Sequence, residues 1–353
     1  MRATPVSVPL STPLTTASGV MPVAPLLLID VMTEEGVTGR SYVFAYQTLV
    51  LRPLADLVAG LAEPLIGQPL VPSELQRSLR ARFVLLGGAV GLAGMAVSAL
   101  DIAAWDALAA AAGRPLASLL GSRPQLLPAY DSLGMLTAEQ VAERLPRSME
   151  KGFRAVKIKV GWPSLGQDVA VVRAARDVLP DGVELMVDYN QSLDVAEALR
   201  RCRALDGEGV AWIEEPVRCD DFEGAAAITS AVNTPIQIGE NFRSVQEMEV
   251  ALRLRACDLV MPDPQVIGGV SGWVAAAALA GAAGVRCSGH IHVETTAHLL
   301  SASPTVHYLE WLDLASAVMA EPLQVIDGFV TAPERPGIGL EWDPAAVERY
   351  RLS

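Results

Sequence analysis

Short apolar runs alternate with amphipathic segments from residue 128 onward. The runs occupy 128–132, 155–160, 184–190, 211–215, 236–240, 259–263, 286–290 and 307–310. Between them, apolar positions recur at helical spacing over 137–151, 167–179, 194–206, 221–232, 244–254, 270–283 and 294–302. Strands alternating with helices predict a parallel sheet, and eight such units predict a (β/α)8 barrel of TIM type.

The first 120 or so residues have a different texture. Residues 24–46 read as a β-hairpin turning at Glu34-Glu-Gly36, and helical patterns follow over 47–66, 72–86 and 89–113. This is a small α+β unit. Residues 1–25 carry five prolines and no apolar block of signal-peptide length, so no targeting segment is expected. Phe83 to Leu100 is eighteen residues without a charge, near the lower limit for a membrane span. It continues through Asp101 and Asp106 in one helical pattern, which predicts a buried helix and no membrane partner. No linker separates the two parts, so they should pack together. Residues 320–353 hold no ninth unit and should pack back on the N-terminal unit.

Composition narrows the class. The chain has 353 residues, 51% hydrophobic and 19% charged, with a net charge of −13. That is enough apolar material for a large core and too much for disorder. The acidity argues against nucleic acid or anionic lipid as partner. The four cysteines, 202, 219, 257 and 287, form no Cys-x-x-Cys pair. They read as reduced thiols of a cytoplasmic protein.

Ionisable residues close the strands: Lys159, Asp188, Glu214, Glu240, Asp263, His290 and Glu310. Asp188, Glu214 and Glu240 are evenly spaced by 26 residues, which sets them in phase around the C-terminal rim where barrels of this type hold their active sites. Three carboxylates converging on one point require positive charge between them. An all-oxygen set suits a hard cation, Mg²⁺ first and Mn²⁺ second. Lys157 and Lys159 are two apart on one strand and should both face the barrel interior. A lysine beside a second cation and a metal should have its pKa lowered, making it a general base. Asp263 and His290 end neighbouring strands, within reach of a carboxylate–imidazole hydrogen bond. His292, His298 and His307 lack such a partner and read as structural. Bases on the second and seventh strands face opposite sides of the mouth, which suits inversion at a carbon. Glu310 could donate a hydrogen bond to an oxygen gaining charge.

At these residues the chain resembles the enolase superfamily, and within it the mandelate racemase subgroup. The resemblance runs from about residue 5 to 350. It is carried by Ala99-Leu-Asp-Ile-Ala-Ala-Trp-Asp106, Val156-Lys-Ile-Lys159, Met186-Val-Asp-Tyr-Asn-Gln191, Trp212-Ile-Glu-Glu-Pro216, Gly239-Glu-Asn241, Met261-Pro-Asp263, Ile267-Gly-Gly269, His290 and Leu309-Glu310. The resemblance implies a capping domain over 1–122, a modified TIM barrel over 123–319, and a C-terminal segment, 320–353, completing the cap. It implies Mg²⁺ on Asp188, Glu214 and Glu240, with a Lys or His base and an enediolate. Lys159 would serve the (S)-face, and His290 with Asp263 the (R)-face. Lys157 would hold the substrate carboxylate and Glu310 would hydrogen-bond to it. Ser132 and Asn190 match substrate-contacting positions, and Tyr46 with the loop 14–23, including Ser18 and Met21, would close over the substrate. A homo-oligomer, often octameric in the family, is implied as well.

The chain departs from the pattern at several points. Ser18 and Met21 stand where valine is favoured, Leu133 where the pattern has a histidine, and Val266 where it has a lysine. Little of the first capping strand is expected. The resulting expectation is a racemase acting on a small anionic 2-hydroxy carboxylate with an aryl or apolar side group. The alternatives are an acid-sugar dehydratase using the same enediolate and a metal-binding barrel without catalysis.

Overall fold

The computed structural model describes residues 1–16 and 19–352. An antiparallel three-stranded sheet opens the chain: β1 (Arg2–Thr16), β2 (Gly19–Met32) and β3 (Thr38–Phe44). Helices Leu51–Ala62, Pro72–Ala81 and Gly91–Ala111 accompany it. The last is long and apolar enough to cross a membrane by length and composition, but it is largely buried in the core, including Asp101 and Asp106.

β1 overturns the expectation of little first strand. Thr4, Val6 and Val8 face inward, while Pro5 and Pro9 lie on the alternate face. β1 is an edge strand, where a missing N–H costs no ladder bond. The backbone of Pro5 faces the free edge, and its carbonyl accepts from Leu352 N–H at 3.0 Å. Pro13, the third proline of the strand, falls where the β1–β2 register is broken between Pro9 and Leu14.

Eight parallel strands follow in sequence order: β4 (Leu126–Met135), β5 (Ala155–Lys159), β6 (Glu184–Asp188), β7 (Ile213–Glu214), β8 (Ile236–Ile238), β9 (Leu259–Val260), β10 (Arg286–Gly289) and β11 (Val306–Trp311). β11 pairs back to β4 and closes the barrel. A short β12 (Phe329–Thr331) adds antiparallel to the start of β4. Strand alternation builds the interior in layers. Val156, Ile158, Leu185 and Val187 join the main apolar core, whereas Tyr130, Ala155, Met186, Trp212 and Leu259 form a separate cluster. Lys157, Lys159, Asp188 and Glu214 continue the phase of Ala155 and Met186.

The end of the chain ties both parts together. Ile338 N–H donates to Asp106 Oδ1 (2.5 Å), Arg40 Nη1 to Leu340 O (3.2 Å), and Trp342 Nε1 to Asp30 Oδ1 (3.0 Å). Cys202, Cys257 and Cys287 are buried, and none of the four cysteines is paired.

Candidate active site

The ionisable strand ends meet at one mouth. β5 and β10 are separated by β6 to β9 on one side and by β4 and β11 on the other. Lys159 and His290 therefore flank the mouth. Asp188, Glu214 and Glu240 occupy the wider arc, and Ser132 and Glu310 the narrower.

Lys157 Nζ lies 2.7 Å from Glu310 Oε1, is hydrogen-bonded to Glu214 Oε1, and stands over the Tyr130 ring. Lys159 Nζ donates to Asp188 Oδ2 (2.5 Å). Asn190, with φ +45, turns both its backbone N–H (2.7 Å) and its side-chain amide (2.9 Å) onto Asp188. Glu214 Oε2 accepts from Gln237 Nε2 (2.9 Å) and Trp212 Nε1 (3.3 Å). Ser132 Oγ donates to Glu310 Oε1 (2.7 Å). His290 Nδ1 is 2.7 Å from Asp263 Oδ2, and its Nε2 is 3.2 Å from Glu240.

Neighbouring charges shift each of these groups. Burial pulls the Lys159 ammonium down, but Asp188 and Glu240 outweigh it, so Lys159 stands above the ordinary lysine value. Lys157 is raised further, by Glu214 and Glu310 against burial. Glu310 is held below its ordinary value because Lys157 and His290 overcome the cost of burying it. Its Oε1 accepts from Ser132 Oγ and pairs with Lys157. His290 is raised well above an ordinary histidine, with Glu240, Glu310 and Asp263 overriding burial. The carboxylates in direct contact raise both lysines against their burial.

Among the described residues no three acid, Cys or His side chains gather around one metal-sized point. Lys157, Lys159 and His290 stand among the acids. The donor set still fits a hard divalent cation. Six carboxylates line the mouth (Asp188, Glu214, Glu215, Glu240, Asp263, Glu310) against three cations. Glu214 is pushed up to about 7 by burial and by Asp188, Glu310 and Glu240, despite Lys157. Two buried acceptors, Asn190 Oδ1 and Glu310 Oε2, have no hydrogen-bond partner.

The cap covers this mouth. Leu14 pairs with Met21 in the β1–β2 ladder. At the end of β4, a side-chain carbon on Gly134 would lie 2.7 Å from Thr15 O, so only glycine admits the loop this closely. Tyr46 packs against Phe44 (centroids 4.4 Å), with φ +57. The residue keeps 40% of its surface exposed. Ser18 lies outside the described residues.

Three residues by the site escaped sequence reading. Glu215 follows Glu214 and by alternation should point away, but φ +36 turns it beside Gly239 N–H (3.4 Å) and Asn241 (3.3 Å). Gln265 and His292 both approach Asp263. His298 and His307 are structural: His298 bridges Ala117 N–H and Ile338 O, and His307 bonds Ser288 Oγ.

Comparison with known proteins matches this architecture at both ends. Residues 1–121 match the mandelate racemase / muconate lactonizing enzyme N-terminal domain, and 140–346 the enolase C-terminal domain-like family. The chain belongs to the enolase superfamily, in its mandelate racemase/muconate lactonizing enzyme subgroup. An enolase from Bradyrhizobium, solved with magnesium and mandelic acid, is 46% identical over 99% of this chain and 97% of its own, with TM-score 0.95. A racemase from Streptomyces coelicolor with bound magnesium is 33% identical over 99% of each chain, TM-score 0.93. L-talarate/galactarate dehydratase of Salmonella typhimurium is 34% identical over 79% of this chain and 71% of its own. This is a Mg²⁺-dependent enolase-superfamily enzyme.

Proposed function

We propose that this enolase-superfamily enzyme is a racemase that moves a proton at the α-carbon of a 2-hydroxy carboxylate bearing an aryl or apolar side group. The observation that carries this reading is the pair of proton-transfer groups, Lys159 and His290, flanking one acid-lined mouth from β5 and β10. The apolar side group is supported by the uncharged loop 14–23 and by the Bradyrhizobium relative holding mandelic acid.

A proton beside a carboxylate is very weakly acidic, so the site must stabilise the carbanion as an enediolate. Asp188, Glu214 and Glu240 would hold Mg²⁺, which supplies positive charge for the developing oxyanion and weakens the acids' grip on Lys159 and His290. Lys157 binds the substrate carboxylate, positioned by Glu310 and Ser132. One of Lys159 and His290 removes the α-proton, and the C–H pair delocalises into the carboxylate. The other, protonated, returns a proton to the opposite face, and a C–H bond re-forms with inverted configuration.

A second reading, an acid-sugar dehydratase, is favoured by the 34% identity to the Salmonella dehydratase. The proposal also includes a homo-oligomer in the cytoplasm, from the family resemblance and the unpaired cysteines. The test is a panel of 2-hydroxy acids and hexarates with Mg²⁺ in heavy water, followed by NMR. Racemisation removes the α-proton signal and retains the hydroxyl. A 2-keto acid product would replace the racemase reading with the dehydratase. No change in any of these acids would reject both readings and point to another substrate class.

A further inference from the structure

His290 is held from one side by the cap. Asp263, its partner, turns its second oxygen, Oδ1, to the backbone N–H of Gln265 at 2.6 Å. Gln265 is fully buried, and its side-chain Oε1 accepts from the backbone N–H of Phe44, at the end of cap strand β3, at 3.1 Å. The same Oδ1 is 4.0 Å from Nε2 of His292. The His292 ring lies against Tyr42, two residues before Phe44 on the same strand, with centroids 4.8 Å apart. Tyr42 is fixed in turn by donating to Glu294 Oε2 at 2.8 Å.

Two further observations single out this segment. The Nε2 atoms of His292 and of Gln265 are both buried without a hydrogen-bond partner. A buried amide donor and a buried imidazole nitrogen left so are costly and call for an explanation. Ile291 and His292 both sit in left-handed backbone, φ +38 and +46, a conformation that a β-branched residue adopts only when its surroundings force it. An approach of about 1 Å would bring His292 Nε2 into hydrogen-bond range of Asp263. Lys159, by contrast, is hydrogen-bonded within the barrel, to Asp188.

We propose that His292 and Gln265 are positioning residues that tie cap strand β3 to the Asp263–His290 pair, so that seating of the cap aligns the His290 side of proton transfer and leaves the Lys159 side unaffected. This inference rests on the two-base reading given above.

The test uses the full-length, Mg²⁺-loaded protein with (R)- and (S)-mandelate separately in heavy water. His292→Phe keeps a ring against Tyr42 and removes both nitrogens. Exchange of the enantiomer served by His290 should fall about tenfold, and that of the other should stay within twofold. His292→Gln, which restores an amide N–H, should recover most of the loss, and Gln265→Leu should repeat it. Equal losses on both enantiomers, or none on either, overturn the inference. A second readout needs no substrate. With ¹⁵N-labelled histidine the four imidazoles give four ring systems, and His292→Phe should shift the ring signals of His290 and spare those of His298 and His307. An unmoved His290 overturns the tie. If the wild-type protein exchanges no 2-hydroxy acid while this shift is seen, the two-base reading fails and the tie stands as structure alone.

Discussion

At the scale of single residues, the mouth is an argument about charge. Lys159 and His290 do the same job from two sides, so removing one should leave half of the chemistry. Lys159→Ala is expected to abolish racemisation yet preserve α-proton exchange of the enantiomer that His290 serves, and His290→Asn should do the reverse. A general base contributes about 10²–10⁴-fold, so the affected exchange should fall by that order. Heavy-water NMR on separate enantiomers measures it, and equal losses for both would refute the assignment. The surplus of carboxylates gives a second expectation. Mg²⁺ should stabilise the fold by linkage, about 2.7 kcal/mol at a hundredfold excess over its dissociation constant. Glu214→Gln should blunt that gain, because it removes one of the acids that repel each other in the buried mouth. Thermal unfolding with and without Mg²⁺ decides it; an equal rise in both proteins would mean that the cation binds elsewhere.

At the scale of elements, one helix carries two buried acids that join the cap to the rest of the chain. Asp101, on Gly91–Ala111, accepts from both the N–H (2.9 Å) and the hydroxyl (2.6 Å) of Ser271, at the start of barrel helix Gly269–Ala283. It thus acts as a cap supplied from another domain. Asp101→Ala should cost about 1–3 kcal/mol, since the half-buried N–H and hydroxyl of Ser271 would lose their acceptor. Burial raises Asp101 from its ordinary 3.8 to about 7, against the hydrogen bonds from Ser271. The folded state therefore keeps a proton that the unfolded chain has already released. The contribution of this group to stability is full below about pH 4 and is lost as pH rises through about 7. Denaturant titrations of the wild type and Asp101→Asn should show a difference that shrinks or reverses over that window. A difference independent of pH would show that Asp101 is ionised throughout. Elements were largely legible in the sequence. All eight barrel strands fall where short apolar runs stood, because a strand buried on both faces is marked by continuous apolar character. β1 was not legible, since its prolines read as breakers until its edge position is known. The rim residues were legible by phase, and their hydrogen bonds were not, because pairs such as Asp188 with Lys159 cross between strands. Gln265 and His292 carry no spacing signal at all; only the packing of β3 on the barrel brings them to Asp263.

At the scale of the molecule, the chain end holds the cap in place over the chemistry. Ile338 serves both halves: its N–H satisfies buried Asp106 of the cap helix, and its carbonyl meets His298 Nε2 of the barrel at 3.1 Å. Asp106 also accepts from the N–H of Arg40, on β3, at 2.6 Å, so the tail, the cap helix and the strand that reaches the Asp263–His290 pair share one carboxylate. Truncation after Arg335 would strip Ile338, Leu340 and Trp342 from their partners at once. The expected result is a cap that opens independently of the barrel. Hydrogen exchange should then speed up in β2 and β3 while β5 to β8, buried inside the helical ring, keep their protection. Since β3 is also the strand that contacts Gln265 and His292, the truncated protein should lose more of its His290-side exchange than of its Lys159-side exchange. Uniform loss of protection across cap and barrel would mean that the two fold as one unit and that the tail stabilises the whole molecule, not the seating of its cap.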